Sequence, residues 1–91
     1  ILTFKNFDEV IERANDNDLG LCSYLYTNSM DKAHIGSEKL ETGCVAVNTG
    51  VVALAEAPFG GIKQTGYGRE GGSGAIKDYL NVKYTHMGLK I

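Results

Sequence analysis

Leu21-Cys22-Ser23-Tyr24-Leu25-Tyr26-Thr27 and Cys44-Val45-Ala46-Val47, separated by a helical stretch between Ser29 and Gly43, decide the fold. Both runs carry apolar residues on both faces, the pattern of strands buried in a parallel sheet beneath covering helices. Between them Ser29 stands as an N-cap, Met30, Ala33, Ser37 and Leu40 recur at helical spacing, and Gly43 is placed to end the helix. Upstream, Ile1-Leu2-Thr3-Phe4 reads as another short buried strand. Asn6 follows as a second N-cap, with Glu9 in the capping-box position. Val10, Ile11 and Ala14 then share one helix face, Glu9 pairs with Arg13 at i,i+4, and Asn15-Asp16-Asn17-Asp18 with Gly20 ends the helix. The order β-α-β-α-β implies right-handed parallel crossovers and a layered α/β architecture.

Beyond the third strand, Asn48-Thr49-Gly50 opens a loop too long to be an idle connection in a compact domain. Within it, the run from Pro58 to Gly72 holds the only proline and six of the twelve glycines. Phe59, Ile62, Tyr67, Lys63 and Arg69-Glu70 alternate with those glycines, so this is no flexible linker. Gly66-x-Gly68-x-x-Gly71 matches the spacing of a dinucleotide fingerprint, which requires a strand before it, a helix after it and an acid further on. Lys63-Gln64-Thr65 precedes it, and no Asp or Glu occurs after Asp78, so the glycines read as tight-turn and close-approach positions. Ser73 caps a weak helix through Ala75, Ile76 and Leu80, weakened by Gly74. From Asn81 to Ile91 the chain alternates, with Val82, Tyr84 and His86 on one face and Lys83, Thr85, Met87 and Leu89 on the other, as in a strand. Such strands leave edges and apolar faces for another chain, or another part of this one, to cover.

A chain of 91 residues with 43% hydrophobic and 22% charged residues has the composition of one folded domain, not of a disordered segment. A net charge of -2 with scattered basic residues offers no footprint for nucleic acid. No apolar run reaches the roughly 20 residues of a membrane span, and the N-terminus has no signal-peptide pattern, so the chain reads as soluble. Cys22 and Cys44 could form a disulfide, a catalytic thiol with a spare, or two buried thiols; their apolar neighbours favour buried, reduced cysteines. His34 and His86 stand at no metal-ligand spacing from them and read as surface or interface residues. Ile1 lies already inside an apolar segment, as expected of a chain that begins mid-protein.

Asn48-Thr49-Gly50, Glu56-Ala57-Pro58-Phe59-Gly60-Gly61-Ile62-Lys63-Gln64-Thr65-Gly66-Tyr67-Gly68-Arg69-Glu70-Gly71 and Tyr79-Leu80-Asn81-Val82-Lys83-Tyr84 together resemble the C-terminal end of the aldehyde dehydrogenase superfamily. Phe4, Phe7-Asp8-Glu9-Val10-Ile11, Ala14-Asn15 and Gly20-Leu21 extend the likeness over essentially the whole chain. Asn-Thr-Gly before the loop and Tyr-Leu-x-x-Lys-Tyr after it look most like succinate-semialdehyde dehydrogenases. The resemblance implies a three-layer α/β piece of the catalytic domain over residues 1–80 and an oligomerisation strand over 81–91, in a cytoplasmic homo-oligomer. It implies NAD- or NADP-dependent oxidation of a small aldehyde to an acid by the full-length enzyme. The nucleophilic Cys, the general-base Glu and most of the dinucleotide site lie upstream in that family. Neither Cys22 nor Cys44 matches the nucleophile motif, so this chain alone is expected to be inactive and to bind no cofactor and no metal.

Substrate-pocket positions do carry over from the resemblance. Asn48, Gly50, Val51 and Ala53 fall in the loop over the substrate tail, and Phe59 forms an aromatic wall. The position of Ala53 is often a Ser that holds the substrate carboxylate in succinate-semialdehyde enzymes; Ala53 cannot make that bond. Arg69 and Glu70 are implied as a structural pair near a subunit contact, and Tyr84 as part of the oligomer strand. Two readings of another kind compete: a stand-alone α/β assembly or binding module, and an anion-binding module using the glycine-loop amides.

Overall fold

The computed structural model describes residues 1–90. Helix α1 (Phe7–Asn15) begins where Asn6, in extended conformation, accepts a hydrogen bond on Oδ1 from the Glu9 amide at 2.9 Å. Glu9 returns the favour one residue earlier than a strict capping box, taking the Lys5 amide at 2.9 Å on Oε2. Its other oxygen meets Arg13 at 3.3 Å, and Arg13 also donates to the Thr3 carbonyl at 2.8 Å. That bond tethers residues 1–4, which form no strand, contrary to the sequence expectation; Ile1, Leu2 and Phe4 are exposed. An isolated apolar run has no ladder to join, and among the described residues no other segment pairs with it.

Strand β1 (Leu19–Gly20) leads into β2 (Cys22–Leu25), and helix α2 (Met30–Lys39) returns the chain to β3 (Cys44–Val47), parallel to β2. Cys22 faces Cys44 in register and Leu25 faces Val47. This is the expected parallel crossover, with Ser29 Oγ accepting from the Lys32 amide as the N-cap of α2. Two details differ from the periodicity. Met30 is exposed, and the buried point of α2 is Gly36, where a Cβ would stand 2.5 Å from Leu25 Cδ2 and 3.4 Å from Phe7 Cζ. The helix also stops at Lys39, before Gly43, with Leu40 as its C-cap.

Asn15 stitches the ends of the two helices: its Nδ2 donates to the Lys39 carbonyl and its Oδ1 accepts from the Glu41 amide, each at 2.8 Å. Strand β4 (Ile62–Lys63) returns from the long loop and pairs antiparallel with β1. The sheet is thus two two-stranded pieces, and no three-layer parallel sheet is formed among the described residues. The core is correspondingly small, centred on Ile11 and Ala46.

Residues Ala75–Tyr79 make a 3-10 turn instead of the expected α-helix, with no side-chain cap at its start. Gly74 there costs helix propensity, and a five-residue piece without a cap gains too little from the α ladder. Asn81 to Lys90, most of the strand expected over 81–91, pairs with no other described segment of this chain, and Ile91 lies outside the described residues. Tyr84 Oη nonetheless meets His86 Nδ1 at 3.2 Å, the i,i+2 neighbourhood of an extended backbone. A strand needs a partner to count as one, and Val82 and Leu89 stand in solvent. Among the described residues no helix is long and apolar enough to cross a membrane.

Candidate functional site

The loop between β3 and the 3-10 turn is pinned at both ends. At its start Asn48 adopts φ 56 and donates its amide to the Leu25 carbonyl at 2.8 Å. Its side chain then copies a strand: Oδ1 takes the Thr27 amide at 2.9 Å and Nδ2 gives to the Thr27 carbonyl at 3.0 Å. The left-handed φ is tolerable because Asn bonds locally at little steric cost. Val51 is exposed, its amide held by Thr49 Oγ1 at 3.1 Å, while Gly50 has nothing within 4 Å of a Cβ.

At its far side the loop closes on itself. Phe59 and Glu70 exchange both backbone hydrogen bonds, each at 2.7 Å, and the Gly72 amide reaches the Ala55 carbonyl at 2.9 Å. Arg69 does not pair with Glu70: its guanidinium donates to the Gly61 carbonyl at 2.8 Å and the Gly68 carbonyl at 2.7 Å. Neighbouring residues on an extended segment point to opposite sides, so Arg69 braces the inside of the loop while Glu70 contributes its backbone. Below, Thr65 Oγ1 accepts from the Gly20 amide at 2.9 Å.

Lys63, at φ 56, is the clamp between this loop and the helical layer. Its Nζ lies 2.7 Å from Glu41 Oε2 and donates to the carbonyls of Asn15 at 3.0 Å and Asn17 at 3.2 Å. An ammonium is favourable there, beside the free carbonyls at the C-terminus of α1.

Phe59 is half-buried and forms a wall between two depressions. On one side it lines a cleft of about 590 Å³ with Leu21, Tyr67, Arg69 and Tyr79. On the other it meets Ala53, Leu54 and Ala55 around a hollow of about 240 Å³. Ala53 and Phe59 are therefore brought together, whereas Asn48, Gly50 and Val51 line neither hollow, and Tyr84 lies apart on the terminal segment. Gly66 and Gly68 have positive φ, at 101° and 123°, yet they are followed by a five-residue 3-10 turn. Without a helix N-terminus to present amides to a pyrophosphate, the glycine triplet does not fit a dinucleotide.

Cys22 and Cys44 are free and half-buried. Burial first, and then the neighbouring Cys44, pushes the Cys22 thiol up from its ordinary value. A nucleophilic cysteine needs the opposite shift. Among the described residues no three His, Cys, Asp or Glu side chains are grouped to hold a metal.

The aldehyde dehydrogenase family model matches residues 1–85. The chain belongs to the aldehyde dehydrogenase family. Over 88 residues it is 47% identical to 3-sulfolactaldehyde dehydrogenase of Pseudomonas putida, covering 97% of this chain and 18% of that protein. Succinate-semialdehyde dehydrogenase [NADP(+)] of Escherichia coli is 44% identical over 89 residues, covering 98% of this chain and 18% of that protein. A solved NAD+ complex of an aldehyde dehydrogenase from Bacillus cereus superposes with a TM-score of 0.86 at 44% identity, covering 90% of this chain and 17% of that one. This member of the aldehyde dehydrogenase family thus spans about 18% of the length of the curated relatives it matches.

Within the family segment, Lys63 and Thr65 are the residues that sequence reasoning missed. Lys63 reaches partners 46 and 48 positions away in the chain, and Thr65 one 45 away. Only their place between loop glycines hinted that polar side chains there hold the backbone.

Proposed function

We propose that this chain is the C-terminal part of an NAD(P)-dependent aldehyde dehydrogenase acting on a small semialdehyde of the succinate type. Residues 1–80 complete its catalytic domain, with the loop from Asn48 to Phe59 bordering the aldehyde pocket. The observation that carries this reading is the Phe59 wall beside Ala53, fixed in place by the paired backbone of Glu70. An aromatic face held by the main chain can press on a substrate tail without rearranging. The nicotinamide supplies the hydride acceptor when bound, and the glycine loop of this chain does not hold it. The raised Cys22 thiol supports a nucleophile located elsewhere in the enzyme.

Residues around the smaller hollow offer the tail methyl and methylene groups from Ala53, Leu54 and Ala55. A carboxylate tail would then be gripped from outside this chain. Ala53→Ser in the full-length enzyme is expected to raise kcat/KM for succinic semialdehyde about 10-fold, the value of one hydrogen bond to a charged group. Aldehyde-dependent reduction of NAD+ or NADP+ reads this directly; an unchanged ratio between succinic semialdehyde and butanal would remove Ala53 from the tail site.

Asn81 to Ile91 is proposed as an edge strand that joins the sheet of a second subunit in the cytoplasmic enzyme. Exposed Val82, Tyr84, Met87 and Leu89 support it, since apolar residues on both faces of an extended segment without a ladder invite one from outside. Sedimentation of the enzyme lacking residues 81–91 is expected to show a smaller assembly. An unchanged sedimentation coefficient would defeat the assignment.

A further inference from the structure

Parallel strands in register bring their facing side chains to the same side of the sheet, about 4.8 Å apart along the hydrogen-bonding direction. Cys22 and Cys44 occupy such a facing pair. Both thiols are free and half-buried, and the Cys44 Sγ lies 3.6 Å from the Gly60 carbonyl. Thr42 Oγ1 fixes the approach to β3 by donating to the Cys44 carbonyl at 2.8 Å and accepting from Ser23 Oγ at 3.1 Å. The two sulfurs are therefore carried by a rigid ladder at its first register position, beneath the loop that bears Phe59.

We propose that Cys22 and Cys44 form a dithiol site for a soft, two-coordinate cation, Cu(I) being the type case. Thiolates select soft cations, and two thiols with no third ligand suit a linear site. A tetrahedral zinc site needs four ligands, and no group of three His, Cys, Asp or Glu exists among the described residues. Binding replaces two S–H protons with one cation: both protons leave to solvent, two Cu–S bonds form, and no electron is transferred. Holding two neutral thiols side by side costs little, whereas two bare thiolates would repel. The cation supplies the charge that lets both ionise.

The proposal rests on the strand register and the two free thiols, not on the aldehyde dehydrogenase reading. Its test uses the full-length protein and Cu(I) held by a competing chelator. The unmodified protein is expected to withdraw one more equivalent of Cu(I) than either the Cys22→Ala or the Cys44→Ala variant. Each variant should hold copper at this position about 10²-fold more weakly, because the second thiol no longer acts as an intramolecular ligand. Equal stoichiometry and affinity in all three proteins would overturn the proposal. A second measurement needs no variant: alkylation of the unmodified protein, read by peptide mass mapping. Cu(I) should protect Cys22 and Cys44 together; labelling of both at the same rate with and without Cu(I) would overturn the proposal as well.

Discussion

Gly43→Ala is expected to destabilise the protein by about 3 kcal/mol, at the upper end of overpacking costs. An added Cβ at Gly43 would run into the Gly60 carbonyl oxygen, with Gly60 C at 2.8 Å and Gly61 Cα at 2.9 Å behind it. All three are backbone atoms, so no side chain can swing aside. Nor can the loop retreat easily. β4 pairs with β1, Thr65 holds the Gly20 amide, Arg69 holds the Gly61 carbonyl, and the Phe59–Glu70 pair closes the loop above. Gly50→Ala is the matched control, since a Cβ there has nothing within 4 Å, and it should change stability by less than about 0.5 kcal/mol. Thermal unfolding of the two variants decides the matter: equal midpoints would show that β3 and the glycine loop are not in this close approach.

Phe59→Ala carries the second large effect, on catalysis. The backbone pairing of residue 59 with Glu70 does not use the ring, so the loop should keep its path while the wall between the two hollows disappears. Removing a phenyl that covers a bound tail forfeits about 2–3 kcal/mol of apolar contact, which corresponds to a fall of about 10²-fold in kcat/KM. A wall contacts the substrate equally before and during the reaction, so most of the fall should come from a higher KM. Steady-state kinetics of the full-length variant would read the split. An unchanged kcat/KM with a lowered Tm would make Phe59 a packing residue only.

Local chemistry was readable where it depends on near neighbours. Asn6 and Ser29 cap the helices they were expected to cap, and the apolar runs at Cys22–Leu25 and Cys44–Val47 form the parallel pair. Periodicity misled where size mattered more than polarity: Gly36, not Met30, is the buried point of α2, because Leu25 and Phe7 leave no room for a larger residue. The β1–β4 pair was invisible, since two residues on each side carry no alternation to detect. Ile1–Phe4 and Asn81–Lys90 have the apolar content of strands, but content does not supply a partner. At the candidate site, Phe59 and Ala53 could be named from the family resemblance, and the structure places them at one hollow. The residues that fix them there, Arg69, Thr65 and Lys63, act through carbonyls and amides that no sequence pattern announces.

On the proposed function, this chain walls the aldehyde site and contributes no reacting group. The most direct measurement is kcat for aldehyde-dependent NAD(P)H formation by the full-length enzyme with Cys22 and Cys44 both replaced by alanine. The prediction is a kcat within about twofold of the unmodified enzyme, since neither thiol takes part in the chemistry and such a change in barrier is below 1 kcal/mol. Loss of turnover in a folded double variant would place the nucleophile in this chain and contradict its role as a wall without a reacting group.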